Sequence, residues 1–318
     1  MHRASSSDAS TKASYRICNW QRYNDALVRR GSLTLGVEEA TWQAWRYPGP
    51  TQQEAQFQDS DLALECLLTL RAVDHLTLGA TAGFARSLFE LMDLDLPVPA
   101  STSLGRRATT VRLPLPKRAT GPLPLVLDSP GLKVEDQGEG KVRQPSSSPR
   151  RTWRNLPLAI APQTHENQAA LLSDPGVRDE TLVPPLLEPV ENPRESRAGE
   201  GVSDRRTVYA EWDRRNGRAL IPPRREAKVP RPGNTSGPRL AREENLRRLR
   251  QRGRKEWQEE SGSHRRSLGE TAMFRVKTIF GGSVASRRPA QQVTEVGIRC
   301  RALKVMTHQG MPRSERVA

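Results

Sequence analysis

Cysteines, aromatic residues and long apolar runs are scarce in this chain. The three cysteines, Cys18, Cys66 and Cys300, lie far apart, which excludes a disulfide framework and a CxxC zinc site and predicts buried thiols in a cytosolic protein. No run of about 18 apolar residues occurs, and residues 1–14 are polar. The sequence therefore predicts a protein that is neither secreted nor membrane-spanning.

Nucleotide and histidine-metal motifs are also missing. No GxxxxGK[ST] loop is present, and the five histidines are scattered without metal-ligand spacing, so ATP use is not expected. Only 5% of the 318 residues are aromatic and 35% are hydrophobic. This length suits about two domains, but the apolar content gives a modest core, so part of the chain is expected to be loosely packed.

Positive charge is what the chain has in excess. It carries 51 Lys and Arg against 36 Asp and Glu, a formal net charge of +15, and arginine far outnumbers lysine. Nucleic acid is the partner that such a balance favours first.

The first hundred residues are typical of helices. Asn19 is placed to cap a helix through Arg30, Ser32 a second through Trp45, and Ser60 a third through Val73. A fourth helix is predicted over Thr77 to Met92, with one face formed by Leu78, Phe84, Leu88 and Leu91. Arg106 and Arg107 follow; they suit either a DNA-contacting surface or a solvated one.

A linker with several prolines follows these helices, and we predict a domain boundary near residue 118. The predicted organisation is a helical domain over 1–117, a second domain over 118–307 and a tail over 308–318. Short strands are predicted at Leu123 to Leu127, at Leu156 to Ala161 and near Ile221. The proline-rich residues 175–193 do not suggest regular structure.

Two carboxylates stand out at element ends. Asp128 follows the first strand, where it could hold a cation or cap a turn. Glu270 lies in a predicted helix from Ser267 to the glycine pair at 281–282, where Ser267 and Glu270 also fit a capping box. Arg266 and Lys277 fall on turns adjacent to Glu270, so cations flank this carboxylate.

A charged helix, interrupted at Gly253, precedes this segment. Its arginines suit either a phosphate backbone or a solvated face, and Trp257 could stack on a base or anchor the helix to the core. The basic residues are Arg239, Arg242, Arg247, Arg248, Arg250, Arg252, Arg254 and Lys255.

Taken together, the motifs resemble a known family. "VLDSPGLKV", "KVRQ", "RRTWR", "IPPRR" and "HRRSLGETAMFRVKTIFGG" occur in this order and are similar to the DDE-type transposases of bacterial insertion sequences. The N-terminal "YRICNWQRYNDALVRRGSLTL" and "SDLALECLLTLRAV" resemble the leading region of the same group. The resemblance thus covers nearly the whole chain.

This resemblance implies an α/β fold: an RNase H-like mixed sheet flanked by helices as the catalytic domain (118–307), preceded by an all-helical N-terminal domain (1–117) that binds DNA ends. It also implies three carboxylates, matching Asp128, Glu200 and Glu270, that bind two Mg²⁺ ions, for which Mn²⁺ can substitute. The DNA contacts that the resemblance implies are Arg266 and Lys277; the charge pattern of the preceding helix adds Arg247, Arg248, Arg250 and Arg254 as candidate DNA contacts.

The implied reaction is cleavage at the terminal inverted repeats of the element, followed by strand transfer into target DNA. The implied assembly is at least a homodimer on double-stranded DNA. We expect a cytoplasmic, nucleoid-associated bacterial protein that uses neither ATP nor a membrane.

Several positions depart from the family pattern. Glu200 and Ser203 replace an aspartate and a tyrosine, and Asp204 is the alternative second carboxylate. Ser263 replaces the tyrosine that precedes Arg266, and Pro130 replaces a threonine and so removes a backbone N–H. The strand before Glu200 is also strongly charged. These departures predict impaired catalysis.

Two other functions stay open from the sequence. One is a catalytically inactive, transposase-derived DNA-binding protein, which the departures favour. The other is a generic basic nucleic-acid-binding or ribosome-associated protein, which the charge alone favours and the ordered motifs oppose.

Overall fold

A five-stranded mixed sheet forms the middle of this protein, whose structure is a computed structural model. The structure describes residues 14–31, 43–47, 49, 59–111, 115, 123–134, 153–191, 193–198, 204–224, 226–228, 241–262 and 267–317.

The described elements alternate between strands and helices after an N-terminal run of helices. The strands are β1 (Ser14–Ile17), β2 (Leu123–Asp128), β3 (Gly131–Val134), β4 (Trp153–Asn155), β5 (Leu158–Ile160), β6 (Asn167–Ala170), β7 (Pro193–Ala198), β8 (Arg218–Ala219), β9 (Ser283–Val284) and β10 (Ser314–Val317). The helices are α1 (Trp20–Arg30), α2 (Asp61–Val73), α3 (Leu78–Leu91), α4 (Ser101–Arg107), α5 (Asp179–Leu187), α6 (Arg206–Arg214), α7 (Ala241–Arg252), α8 (Arg254–Ser261), α9 (Ser267–Phe280) and α10 (Pro289–Gln309).

Strand β2 occupies the middle of the sheet, whose order is β6-β5-β2-β7-β8. It runs antiparallel to β5, with Asp128 opposite Leu158, and parallel to β7, with Leu127 opposite Ala198. Strand β8 is parallel to β7. Because β2 and β7 are parallel neighbours, their carboxyl ends meet at the same edge of the sheet.

Helices cover both faces of this sheet. Leu125 and Leu127 of β2 pack with Ala159 of β5 into a buried cluster beneath α5 and α6. The alternate residues of β5, Leu158 and Ile160, pack on the other face with α9 and α10. Since successive strand residues point to opposite faces, both faces of β5 are buried. The expected α/β class is confirmed.

Two smaller sheets attach to this core. Strand β3 lies between β4 and β9, and the short turn after Asp128 joins β2 to β3. Strands β1 and β10 form an antiparallel pair in which Tyr15 lies opposite Arg316. This pair includes residues of the predicted tail and joins both ends of the described chain.

The N-terminal helices begin where their caps predict. The Ser60 and Thr77 side chains accept hydrogen bonds from the backbone N–H groups of Ala63 and Ala80, at 3.1 and 3.2 Å. Asn19 occupies the N-cap position of α1 as expected, but its side chain makes no capping hydrogen bond to the helix. Its amide instead bonds the carbonyl of Met311 and the N–H of Arg313, which ties α1 to the end of the chain.

The prediction of which side chains α3 buries is wrong for two of its members. Phe84 and Leu91 are exposed, at 42% and 85%, whereas Ala82, Ala85 and Phe89 are buried. The helix packs through its small residues, and Phe89 contacts Trp45 edge-on at 5.4 Å. This cluster includes Ile298 of α10, so the N-terminal helices share a core with the C-terminal helix. The predicted helix from Ser32 to Trp45 lies mostly outside the described residues.

Two segments whose sequences argued against regular structure form a helix and a strand. Residues of the proline-rich region form α5, which contains Pro184 and Pro185 and buries Leu182 and Leu186. The charged segment before Glu200 forms β7, paired along β2. Backbone pairing with two neighbouring strands holds β7 in the sheet despite its polar sequence.

The thiols differ from the prediction in part. Cys300 is buried and Cys66 partly so, but Cys18 is exposed. Burial raises the pKa of the Cys66 thiol to about 11 and that of Cys300 to about 12. No helix in the described ranges is long and apolar enough to cross a membrane.

Candidate active site

Asp128 ends the middle strand of the sheet, as its sequence position predicted. Its Oδ1 accepts a hydrogen bond from the backbone N–H of Ser129 at 3.0 Å. The Ser129 hydroxyl in turn donates to Oδ1 of Asp179, at the start of α5, at 3.0 Å. The turn after β2 is therefore fixed from two sides, which holds the Asp128 carboxylate at the strand end.

Helix α9 meets the sheet at this residue. A Cβ added to Gly269 would lie 2.6 Å from Cβ and 2.8 Å from Oδ2 of Asp128. Gly269 is buried and the next residue, Glu270, is exposed in the first turn of α9. The structure thus brings the helix that carries Glu270 against Asp128, in agreement with the motif order. Their roles as metal ligands stay predictions.

Glu200 and Arg266 lie outside the described residues. Strand β7 ends at Ala198, opposite Leu127, so the last described residue before Glu200 is at the edge of the sheet that carries Asp128. Since ligands in open α/β sheets bind at the carboxyl ends of strands, the topology favours a site at this edge.

Asp204, the alternative second carboxylate, is engaged elsewhere. Its side chain is fully buried, and Oδ1 and Oδ2 accept hydrogen bonds from the Arg242 guanidinium at 2.7 and 3.2 Å. Oδ2 also accepts from the backbone N–H of Arg224 at 3.0 Å. The hydrogen bond between the Asp204 carboxylate and the Arg242 guanidinium raises the pKa of Arg242. Because both carboxylate oxygens accept hydrogen bonds from these donors, the Asp204 side chain is committed to contacts within the fold.

The charged helix is divided as predicted, into α7 and α8, where Gly253 adopts a φ of 82° that favours glycine. Trp257 is 2% exposed and anchors α8 in the core, so the stacking alternative is wrong. Arg248 pairs with Glu244 at 2.7 Å. Arg254 donates to the carbonyl of Pro223 at 3.0 Å.

The other predicted DNA contacts differ in accessibility. Arg250 is exposed and bonds the carbonyl of Ala227 at 3.3 Å. Arg247 is exposed, with no ion pair to any described residue. Lys277 is exposed on α9. These three cations can reach a ligand without breaking a buried contact.

Arg106 and Arg107 have different environments. Arg106 is exposed, whereas Arg107 bonds the carboxylate of Asp61 at 2.7 Å and the carbonyl of Asp59 at 3.1 Å. Arg107 therefore fastens α4 to the start of α2. Of this predicted pair, Arg106 alone has the exposure that a DNA contact requires.

The carboxylates at the sheet edge suit a hard cation, because Mg²⁺ prefers anionic oxygen ligands. Within the described ranges, no group of three or more His, Cys, Asp or Glu is arranged to hold a metal ion. Glu200, the second carboxylate that the family resemblance implied, is outside those ranges.

Two neighbours of Asp128 were missed from the sequence. Gly269 could have been found, since a glycine one residue before a predicted catalytic carboxylate indicates that the helix backbone packs closely against a neighbouring element. Asp179 gave none, because the contact with Ser129 depends on how α5 packs.

On this α/β fold a strand-end aspartate, Asp128, lies against the helix that carries Glu270, and family comparison identifies the class of protein. A family model described as "Transposase DDE domain" matches residues 119–304, more than half of the 318 residues, and another with the same description matches residues 28–137. The chain therefore belongs to the DDE transposase family. No solved structure matches it.

Proposed function

We propose that this transposase cuts DNA at the ends of an insertion sequence and transfers the strands into target DNA, with Asp128, Glu200 and Glu270 as its catalytic carboxylates. The observation that carries the proposal is the contact of Gly269 with Asp128, which sets the Glu270 helix against the end of the middle strand. Membership of the family supplies the DNA substrate class.

The sheet supports an RNase H-like core. An antiparallel set, β6-β5-β2, continues into the parallel strands β7 and β8, with helices on both faces. In this arrangement the carboxyl ends of β2 and β7 provide the first two carboxylates, Asp128 and Glu200. Helix α9 provides the third, Glu270.

The proposed site would hold two Mg²⁺ ions, which activate the attacking water or 3′-hydroxyl and stabilise the leaving oxygen. Asp128 supplies carboxylate oxygens from a position fixed by the Ser129 N–H. Glu270 supplies oxygens from the accessible side of α9. Lys277 lies two turns further along α9, about 10 Å from Glu270 at 1.5 Å per residue, where it can hold a DNA phosphate.

DNA affinity is assigned mainly to exposed cations. Arg247, Arg250 and Lys277 are accessible, whereas Arg248 and Arg254 must leave Glu244 and the Pro223 carbonyl to contact a phosphate fully. Each neutralised phosphate releases counterions, so the binding free energy depends strongly on salt.

The deciding experiment is nicking of a DNA duplex that carries the element's own ends, with Mg²⁺ or Mn²⁺. We expect Asp128→Asn and Glu270→Gln each to reduce nicking by at least about a hundredfold, because a missing ligand displaces the reacting groups. Glu259→Gln removes an exposed carboxylate from α8 and is the matched control. Nicking that survives both site variants would refute the proposal.

An inactive DNA-binding protein is the second candidate, and Pro130 favours it. Pro130 stands two residues after Asp128 and offers no N–H; its carbonyl accepts a hydrogen bond from Leu156 at 2.8 Å. A threonine there would add a donor beside the carboxylate.

Reversion of the departures separates the two candidates. Glu200→Asp should recover part of any lost nicking, and the triple variant with Pro130→Thr and Ser263→Tyr should recover more. Binding of the ends without nicking in the triple variant would support the inactive protein. Full nicking by the unchanged chain, equal to that of the triple variant, would show that these departures do not impair catalysis.

A further inference from the structure

A cavity of about 280 Å³ lies between α2, the start of α10 and the segment that follows α9. Phe280 and Gly281 line it at the carboxyl end of α9. Glu270 is in the first turn of this 14-residue helix; the cavity is thus separated from the candidate active site by most of the length of α9, about 15 Å.

Two arginines that line this cavity, Arg71 and Arg299, each have a buried Nε without an acceptor; Arg299 is paired with Glu295 through another of its nitrogens, whereas no ion pair is found for Arg71 among the described residues. The Arg71 Nε is shielded from solvent, and no described residue accepts a hydrogen bond from it. The side chain as a whole is only partly buried, so a ligand in the cavity can reach the guanidinium. A buried guanidinium N–H requires an acceptor.

Glu295, the carboxylate in the cavity wall, does not accept the hydrogen bond from the Arg71 Nε. The oxygens of Glu295 accept hydrogen bonds from the backbone N–H groups of Ala285 and Ser286, at 3.0 and 2.8 Å. Glu295 also pairs with Arg299, one turn away on α10. The Glu295 carboxylate is therefore already paired with residues of the cavity wall. The positive charge of Arg71 is not neutralised by it.

We propose that this cavity binds a phosphate group, with Arg71 as its counter-ion. A guanidinium can bond two phosphate oxygens with parallel N–H groups. His75 and Ser286 also line the cavity, and their side chains can donate further hydrogen bonds. The group can belong to a free phosphate or nucleotide, or to a phosphorylated DNA end.

The proposal is independent of the DDE chemistry and is tested on the full chain without metal. Binding of inorganic phosphate, a deoxynucleoside monophosphate, and matched oligonucleotides with and without a 5′-phosphate is measured by calorimetry, and the Tm is followed in parallel. We expect a phosphate-dependent rise in Tm in the wild type. Arg71→Met should weaken binding at least tenfold, and Arg71→Lys should weaken it less.

Arg86→Met, at an exposed arginine of α3 outside the cavity, is the control and should bind like the wild type. In phosphate-free buffer, Arg71→Met should be at least as stable as the wild type, because it removes a buried N–H that has no acceptor. Tighter binding of the 5′-phosphorylated oligonucleotide than of its unphosphorylated match, with the difference lost in Arg71→Met, would assign the site to DNA ends; equal binding of the two oligonucleotides, with Arg71-dependent binding of inorganic phosphate, would assign it to free phosphate.

Three results would overturn the proposal. They are an absence of phosphate binding by the wild type, equal binding by Arg71→Met, and a large loss of stability in phosphate-free buffer in both Arg71 variants. The last would mean that Arg71 is needed for the fold itself. The nicking assay is unaffected by all three, so failure here leaves the proposed function standing.

Discussion

Gly269 of α9 lies so close to Asp128 of β2 that a methyl group at Gly269 would be 2.6 Å from the Asp128 Cβ. Helix and strand could not keep this contact with any larger residue. The helix that carries Glu270 can therefore pack this closely against Asp128 only because residue 269 is glycine, whose side chain is a single hydrogen atom.

Gly269→Ala should reduce nicking by about a hundredfold, since a catalytic group displaced by about 1 Å loses roughly that much. It should also lower the free energy of unfolding by about 1–3 kcal/mol through overpacking. Gly83→Ala is the control, because its added methyl meets no atom within 4 Å and should stabilise α3 by up to about 1 kcal/mol. Wild-type nicking by Gly269→Ala would show that α9 can shift without cost to the site.

The buried pair of Asp204 and Arg242 should matter for stability. Arg242→Met leaves the fully buried Asp204 carboxylate without its partner and should cost about 3–5 kcal/mol in urea unfolding. The double variant Asp204→Leu with Arg242→Met should recover much of this loss. If Arg242→Met were neutral, the assignment of Asp204 to the fold would be wrong.

Exposed and internally paired arginines should differ in DNA binding. Arg247→Gln should lower the slope of log K against log salt concentration by about 0.9, the value for one phosphate contact. Arg214→Gln is the control, because Glu211 binds the Arg214 guanidinium at 2.7 and 3.0 Å. Filter binding or fluorescence anisotropy at several salt concentrations gives both slopes. Identical slopes for Arg247→Gln and the wild type would remove Arg247 from the interface.

The thiols should react in an order set by exposure and pKa. Cys18 is exposed and should be alkylated first at neutral pH. Burial raises the pKa of Cys66 to about 11 and that of Cys300 to about 12, so their reactive thiolates are rare until the protein unfolds. Mass spectrometry after brief iodoacetamide treatment checks this. Early labelling of Cys300 would contradict its burial.

His165 should make the fold less stable in mild acid. Burial, and secondarily the charge of Arg275, lowers the pKa of His165 in the folded protein below the usual value near 6.5. Below that usual value the unfolded chain binds the proton more readily, so stability falls as the pH drops. Asn tolerates the positive φ of 59° at this position. The loss of unfolding free energy between pH 7.5 and 5.5 should therefore be smaller in His165→Asn, and an equal loss would exclude His165 as a cause.

Local signals predicted a good part of the fold. Ser60 and Thr77 mark helix starts because each side chain caps a backbone N–H only three residues away. The apolar run that ends at Asp128 and the glycine pair after Phe280 likewise mark element ends. The same local order carried the family resemblance, which the matching family models confirm.

The partners of the charged residues were decided by the tertiary structure. Asp204 pairs with Arg242 across 38 positions, and Arg107 with Asp61 across 46, so no local pattern could separate these structural ions from exposed ones such as Arg247. Strand β7 is held by pairing with β2 and β8 rather than by its polar sequence. The sequence determined where several elements begin and to which family the chain belongs, because capping, turns and family motifs depend on residues that are near one another along the chain. Which charges are buried, and how closely α9 approaches Asp128, depend on long-range packing.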